Sequence, residues 1–278
     1  MFKHRTSIEF PPELWKQLSS KVPDRKKGPF IIEAVKEKLS RESMKAIILC
    51  GGQGTQMRPL TLSSPKGMLP IGYKPLLEHT VAMLKEQGIY NLIFAVGYLG
   101  EQIIKYFNDG SNFGTKINYL TEKEPLGTGG AVKQTENMIS STFIVVNGDI
   151  IFSKLDLKEL LQFHKDKQAL CTVVLTKVSD ARPFGLVETD ADGKIKAFTE
   201  KPKFSSAGWV NAGIYVLEPE IFQMIKPNKH VSLEADIFPS VVENGKLFAF
   251  KHSGYWTDVG KPNDYERVLK DFFAGKIR

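Results

Sequence analysis

Residues 44–78 read MKAIILCGGQGTQMRPLTLSSPKGMLPIGYKPLLE, and this stretch decides the fold. An apolar run from Ala46 to Leu49 stops at Gly51-Gly52, and Gly54 follows two residues later. A buried strand therefore empties into a loop whose bare backbone N–H groups can approach phosphate oxygens, with the Thr55 hydroxyl beside them. The spacing is not a dinucleotide fingerprint, because a proline-rich segment follows the glycines instead of a continuous helix. Nor is it a P-loop, since no Gly-Lys-Ser/Thr follows.

Downstream, apolar runs alternate with amphipathic segments. Strands are expected over 46–49, 92–96, 117–120, 143–146, 171–175, 185–188 and 214–216, and helices over 76–87, 100–107, 129–137, 157–165 and 263–273. That alternation predicts an α/β sandwich around a mixed, mostly parallel sheet. Ligands of such sheets bind at the carboxyl ends of the strands. Residues 44–278 show no internal repeat or linker and read as one domain.

Upstream, residues 1–43 read as a separate, small strand-helix-helix module. Residues 4–10 (HRTSIEF) alternate, with Thr6, Ile8 and Phe10 on one face and Arg5, Ser7 and Glu9 on the other. Pro11-Pro12 ends that strand and opens a helix with Leu14, Trp15 and Leu18 on one side. Lys26-Lys27-Gly28-Pro29 is expected to break the chain before a second amphipathic helix carrying Phe30, Ile31, Ala34, Val35 and Leu39. A module of about 40 residues cannot bury that much apolar surface alone, so a homodimer or higher homo-oligomer is predicted. The pattern resembles a ribbon-helix-helix module, in which strands from two chains pair and, in DNA-binding members, enter the major groove. Arg5 suits DNA contacts but Glu9 on the same face repels phosphate, which places dimerisation ahead of DNA binding.

Composition narrows the function classes. The 278 residues are 42% hydrophobic, enough for one large domain and one small one, and a formal net charge of +7 permits an acidic partner without requiring one. Cys50 and Cys171, both inside apolar runs, suggest neither a disulfide framework nor a cysteine-based zinc site. No apolar run reaches the roughly 18 residues that span a bilayer, and no apolar signal segment follows the N-terminus, so a cytoplasmic protein without membrane contact is expected.

Taken together, GGQGTQMRPLT, PKGMLP and KPLLEH resemble the signature of the sugar-1-phosphate nucleotidyltransferases, the NDP-sugar pyrophosphorylases, whose usual form is GGxGTRLxPLT followed by PKPMxP. The resemblance extends along residues 44–278 and implies a Rossmann-like three-layer sandwich. It implies a nucleotide site at Leu49, Gly51, Gly52, Gly54, Thr55, Gly127 and Thr128, with Lys66 gripping the phosphates. EPLGTGG at 124–130 is similar to the family loop around the base. NGD at 147–149 places Asp149 where the family holds Mg²⁺, and WTDVG at 256–260 supplies Asp258 as the second ligand. EKP at 200–202, VNAGIY at 210–215 and PFG at 183–185 resemble the sugar-phosphate site. There the resemblance puts Lys201 on the phosphate and Glu200 and Asn211 on sugar hydroxyls, with Gly185 and Gly148 close by.

Two departures stand out. Gln56 occupies the place of the usual catalytic arginine, and Gly67 that of a common proline. Losing a guanidinium beside a reacting triphosphate removes a term that can reach several kcal/mol, unless Arg58, two residues on, replaces it. The implied reaction is NTP plus sugar 1-phosphate giving NDP-sugar and pyrophosphate. The base loop and the WTDVG segment look most like the mannose-1-phosphate guanylyltransferase branch, with UTP or dTTP plus glucose 1-phosphate as an alternative. A different alternative is a sugar-nucleotide sensor of low or no activity that regulates DNA through residues 1–43. The chain stops at Arg278, soon after the last expected helix, so no C-terminal β-helix is expected.

Overall fold

The computed structural model describes residues 7–200 and 207–277, with 33, 36–43 and 199–200 described by backbone alone. The chain divides into two compact units, the first ending at Ser43 and the second beginning at Met44.

The first unit contains α1 (Pro12–Lys21) and α2 (Asp24–Ser43). Pro12 opens α1, where a missing N–H leaves no bond unmade. The turn falls at Val22-Pro23, with Val22 extended (φ −126°, ψ 120°) as the residue before a proline prefers. The break expected at 26–29 does not occur, because α2 runs through Pro29. Gly28 has no Cβ, so it escapes most of the clash that a proline ring imposes on the residue before it. Trp15 lies between Phe10, at 5.6 Å between ring centroids, and the Lys27 ammonium, 4.3 Å from its ring. Lys27 also reaches Asp24 (2.6 Å) and Ser19 (2.8 Å). Leu14, Trp15, Phe30, Ile32 and Val35 stay exposed. Residues 7–10 form no strand within the single chain, and the rest of the expected strand, Arg5 included, lies outside the described residues.

The second unit is built on a mixed nine-stranded sheet. Its first strands are β1 (Lys45–Cys50), β2 (Pro70–Ile71), β3 (Lys74–Pro75), β4 (Asn91–Val96), β5 (Lys116–Thr121), β6 (Phe143–Asn147) and β7 (Ile150–Phe152). β8 (Cys171–Val178), β9 (Gly185–Thr189), β10 (Ile195–Glu200), β11 (Gly208–Leu217), β12 (Leu247–His252) and β13 (Trp256–Asp258) follow. The helices are α3 (Leu76–Glu86), α4 (Gly100–Phe107), α5 (Gly127–Lys133), α6 (Leu157–Asp166), α7 (Phe238–Glu243) and α8 (Pro262–Phe273).

The strand order is β10-β9-β11-β6-β1-β4-β5, with β8 also on β11 and β12 on β8. β6, β1, β4 and β5 run parallel, so their carboxyl ends open on one edge, and β11 joins β6 antiparallel. β7 and β13 form their own antiparallel pair.

Along β1 successive side chains enter opposite layers. Ile48 packs with Phe94, Val146 and Phe107 on one face, and Ile47 with Val145, Tyr215 and Phe238 on the other. Burial on both faces is why this strand reads as an unbroken apolar run. A third cluster, including Met57, Leu69, Ile71, Val259 and Val268, seats the proline-rich loop against β13 and α8.

Candidate active site

The glycine loop leaves the carboxyl end of β1. Gly54 adopts the left-handed conformation (φ +60°), and a Cβ there would come within 3.0 Å of the Thr61 side chain. Thr61 fixes the turn by donating its hydroxyl to the Gly54 carbonyl at 2.7 Å. A Cβ at Gly51 would meet the Glu122 carboxylate at 2.3 Å, so a side chain there would have to displace that carboxylate. Beside it, the Gly148 N–H donates to the Leu49 carbonyl at 2.8 Å, tying the end of β6 to that of β1.

This tie sets Asp149 at the rim, where its Oδ2 meets the Lys66 ammonium at 2.7 Å. Lys66 projects from a single 3₁₀ turn, Lys66–Met68, whose Gly67 is buried. A Cβ at Gly67 would lie 2.6 Å from Leu77, so the departure from proline there reflects tight packing.

The second carboxylate arrives from the far end of the chain. β13 pairs with β7 so that Asp258 faces Ile150, and the Val259 N–H donates to the Asp149 carbonyl at 2.8 Å. Asp258 Oδ1 is buried and has no hydrogen-bond partner among the described residues. Burial and then the Asp149 charge push Asp258 up to about 7, against the pull of Lys66 and Arg267. For Lys66, burial favours the neutral form, but Asp149, Asp258 and Asp264 outweigh it and hold the ammonium above its ordinary value.

Gly54, Thr55, Gln56, Lys66, Asp149 and Asp258 thus share one open cleft of about 1140 Å³. Phe184 and Trp256 also line it, in edge contact at 5.4 Å, and Trp256 Nε1 donates to the Ala212 carbonyl at 2.8 Å. Arg58 is exposed and does not line the cleft. Gly185 opens β9 opposite Glu200, which is described by backbone alone. Lys201 lies outside the described residues.

Asn211 and Thr128 sit on one hydrogen-bonded network. Asn211 Nδ2 donates to the Tyr215 hydroxyl (2.8 Å), which donates to Glu234 Oε1 (2.7 Å). The Thr128 hydroxyl donates to Glu234 Oε2 at 2.7 Å and accepts the Leu233 N–H at 2.8 Å. One carboxylate therefore positions both the Asn211 strand and the start of α5, where Gly127 (φ +72°) passes close to the Val231 carbonyl. Sequence reasoning missed Glu234, Glu122 and Arg267. Glu234 lies on a π-helical turn with no periodic pattern to mark it, and Glu122, raised by burial, follows β5 where any turn residue would.

The family model for nucleotidyl transferases matches residues 45–274. The chain belongs to that family. It is 37% identical over 240 residues to the mannose-1-phosphate guanylyltransferase of Mycobacterium tuberculosis, covering 85% of this chain and 67% of that protein. Identity to the mannose-1-phosphate guanyltransferase of Saccharomyces cerevisiae is also 37% over 240 residues, covering 84% of this chain and 64% of the yeast protein. The chain thus spans about two thirds of the length of these curated relatives. Among solved structures, HddC from Yersinia pseudotuberculosis superposes with a TM-score of 0.73 at 30% identity, over 82% of this chain and 99% of that one. The same protein complexed with GMP-PN gives 0.72, again at 30% identity and over the same shares of the two chains. The nucleotidyl transferase match and these neighbours agree with the α/β sandwich expected from the sequence. No helix among the described residues is long and apolar enough to cross a membrane.

Proposed function

We propose that this chain transfers a nucleotidyl group from an NTP to a sugar 1-phosphate, with GTP and mannose 1-phosphate as the preferred pair. The observation that carries the reading is the meeting of Lys66, Asp149 and Asp258 in one cleft at the carboxyl ends of parallel strands. The guanylyltransferase names of the relatives and the GMP-PN complex of HddC support the choice of base and sugar.

The attacking sugar-phosphate oxygen is already ionised, so the reaction needs no general base, only in-line positioning and relief of repulsion between two anions. Lys66, held as an ammonium, and the bare amides of the glycine loop bind and orient the triphosphate. Asp149 and Asp258 fit a hard divalent cation, because two crowded carboxylates and the unpartnered Asp258 Oδ1 are the donors such an ion takes. They would hold Mg²⁺, which neutralises charge on the phosphates when bound. Asn211, held through Tyr215 and Glu234, is the residue we assign to a sugar hydroxyl, and the family resemblance assigns Lys201 to the sugar phosphate.

A panel of GTP, UTP and dTTP against mannose 1-phosphate and glucose 1-phosphate, read by pyrophosphate release, tests the reading. GTP with mannose 1-phosphate is expected to turn over fastest. A clear preference for UTP or dTTP with glucose 1-phosphate redirects the substrate assignment, and no turnover with any pair overturns the activity.

We also propose that residues 1–43 join a second copy of the chain, because five large apolar side chains of α1 and α2 stay exposed within a unit too small to cover them. Mass measurement in solution tests this on the full chain and on a chain lacking residues 1–43. A shortened chain that stays oligomeric removes the proposal. Salt-dependent titration with duplex DNA separates a purely oligomerising module from one that also reads DNA.

A further inference from the structure

Gln56 lines the cleft with a neutral amide, so the glycine-loop wall offers Lys66 as its cation. Among the described residues of the lining there are five aspartates against three lysines and one arginine, a balance that does not favour a triphosphate unless every cation is used. The one arginine is Arg267, on α8.

Its guanidinium is tethered through one nitrogen, with 56% of the side chain exposed. Nη2 donates to the Thr257 hydroxyl at 2.8 Å, the residue before Asp258, and to Asp264 Oδ1 at 2.9 Å. Nε and Nη1 make no hydrogen bond to any described residue, which leaves three N–H donors on a planar fork in the substrate cleft. The group lies close enough to Asp258 to oppose the rise in its pKa. A half-exposed arginine could serve only to staple α8 to β13. A staple needs Nη2 alone, however, and gives no reason for the remaining donors to stand in a phosphate-binding cleft.

Resting on the transferase reading, we infer that Arg267 is a catalytic residue that grips phosphate oxygens of the nucleotide and the departing pyrophosphate, supplying from α8 the fixed charge that Gln56 does not supply from the loop. In the step it serves, a sugar-phosphate oxygen forms a bond to the α-phosphorus. The bond from that phosphorus to the α–β bridging oxygen breaks, and its electron pair leaves with pyrophosphate. A planar fork aimed at the departing oxygens counts most where charge develops.

The test compares Arg267→Ala and Arg267→Lys with the wild type, with thermal midpoints measured alongside. Arg267→Ala is expected to lower kcat/KM on the order of 100-fold with little change in midpoint. Added guanidinium ion is expected to restore part of the turnover, Arg267→Lys to retain less activity than a bidentate fork gives, and Gln56→Arg to recover activity in the Arg267→Ala background. Pyrophosphate binding by calorimetry, which needs no turnover, is expected to weaken at least about tenfold in Arg267→Ala. Unchanged turnover and pyrophosphate affinity in Arg267→Ala overturn the role of Arg267. A loss of turnover that guanidinium does not rescue, together with a fallen midpoint and intact pyrophosphate affinity, shows a staple and also overturns it. A wild-type chain with no turnover overturns the transferase reading instead, and the calorimetry still decides whether Arg267 holds pyrophosphate.

Discussion

The two walls of the cleft are built on opposite plans. The glycine-loop wall is built on the turn at Gly54 and Thr55, with Gln56 and Lys66 beside them. The opposite wall, from β13 and α8, is mostly side chain, with Asp258, Asp264 and Arg267 on one short segment. The first wall offers backbone amides and an ammonium, whereas the second carries both signs of charge, and in the proposed reaction it would need a cation to accept phosphate. Asp149, bonded to Lys66 and backbone-paired to Val259, joins them. Such a division suits two anionic substrates that must be brought together, since neither wall alone cancels their repulsion.

The sharpest way to break this comparison is to discharge the joint between the walls. Asp149→Asn or Asp258→Asn is expected to lower Mg²⁺-dependent pyrophosphate release by about a thousandfold or more. Full activity in either variant would falsify the metal assignment. Lys66→Met attacks the loop wall alone and is expected to cost about a hundredfold in kcat/KM, while Mg²⁺ binding, followed by calorimetry, persists. If Mg²⁺ binding is lost with it, the walls are not separable in the way described.

Smaller effects probe how each wall is held. Gly67→Ala forces a methyl against Leu77 at 2.6 Å, and about 1–3 kcal/mol of stability should be lost in chemical denaturation. Tyr215→Phe removes the hydroxyl linking Asn211 to Glu234, and a comparable loss of about 1–3 kcal/mol is expected. KM for the sugar phosphate should rise more than KM for the NTP, and equal rises would show that Tyr215 supports the fold without positioning Asn211.

The smallest expected effect is on pH dependence. Asp258 is raised to about 7 by burial and by Asp149, so below that pH a proton occupies the carboxylate that a cation needs. Mg²⁺ affinity should therefore tighten from pH 6 to pH 8 by up to about tenfold per pH unit below the pKa, with proton release on binding. A flat profile across this range would mean that Asp258 is ionised before the metal arrives.

Much of the fold was legible because β1, β4, β6 and β8 are buried on both faces and read as unbroken apolar runs. β2, β3, β7, β10, β12 and β13 were not, for different reasons. β2 and β3 span two residues each and β7 and β13 three, too short to stand above the turn-rich sequence around them, and charged residues interrupt the apolar residues of β10 and β12, Lys196 in one and Lys251 in the other. In the first unit the helix break was placed at Gly28-Pro29 instead of Val22-Pro23, because composition alone cannot tell a glycine that relieves a proline clash from one that ends a helix.

By itself the sequence determined the chemistry of the loop wall. The order of glycines, prolines and Lys66 after an apolar strand is a local matter, and a backbone phosphate cradle depends on local conformation. It also supplied Asp149 and Asp258 as candidates through family resemblance. Only the tertiary structure decided that Glu234 serves both Asn211 and Thr128, and that Arg267 stands in the cleft that Gln56 leaves neutral. Thr128 and Glu234 lie 106 positions apart and Tyr215 and Glu234 lie 19 apart, and strand pairing and packing bring them together where no spacing along the chain encodes it.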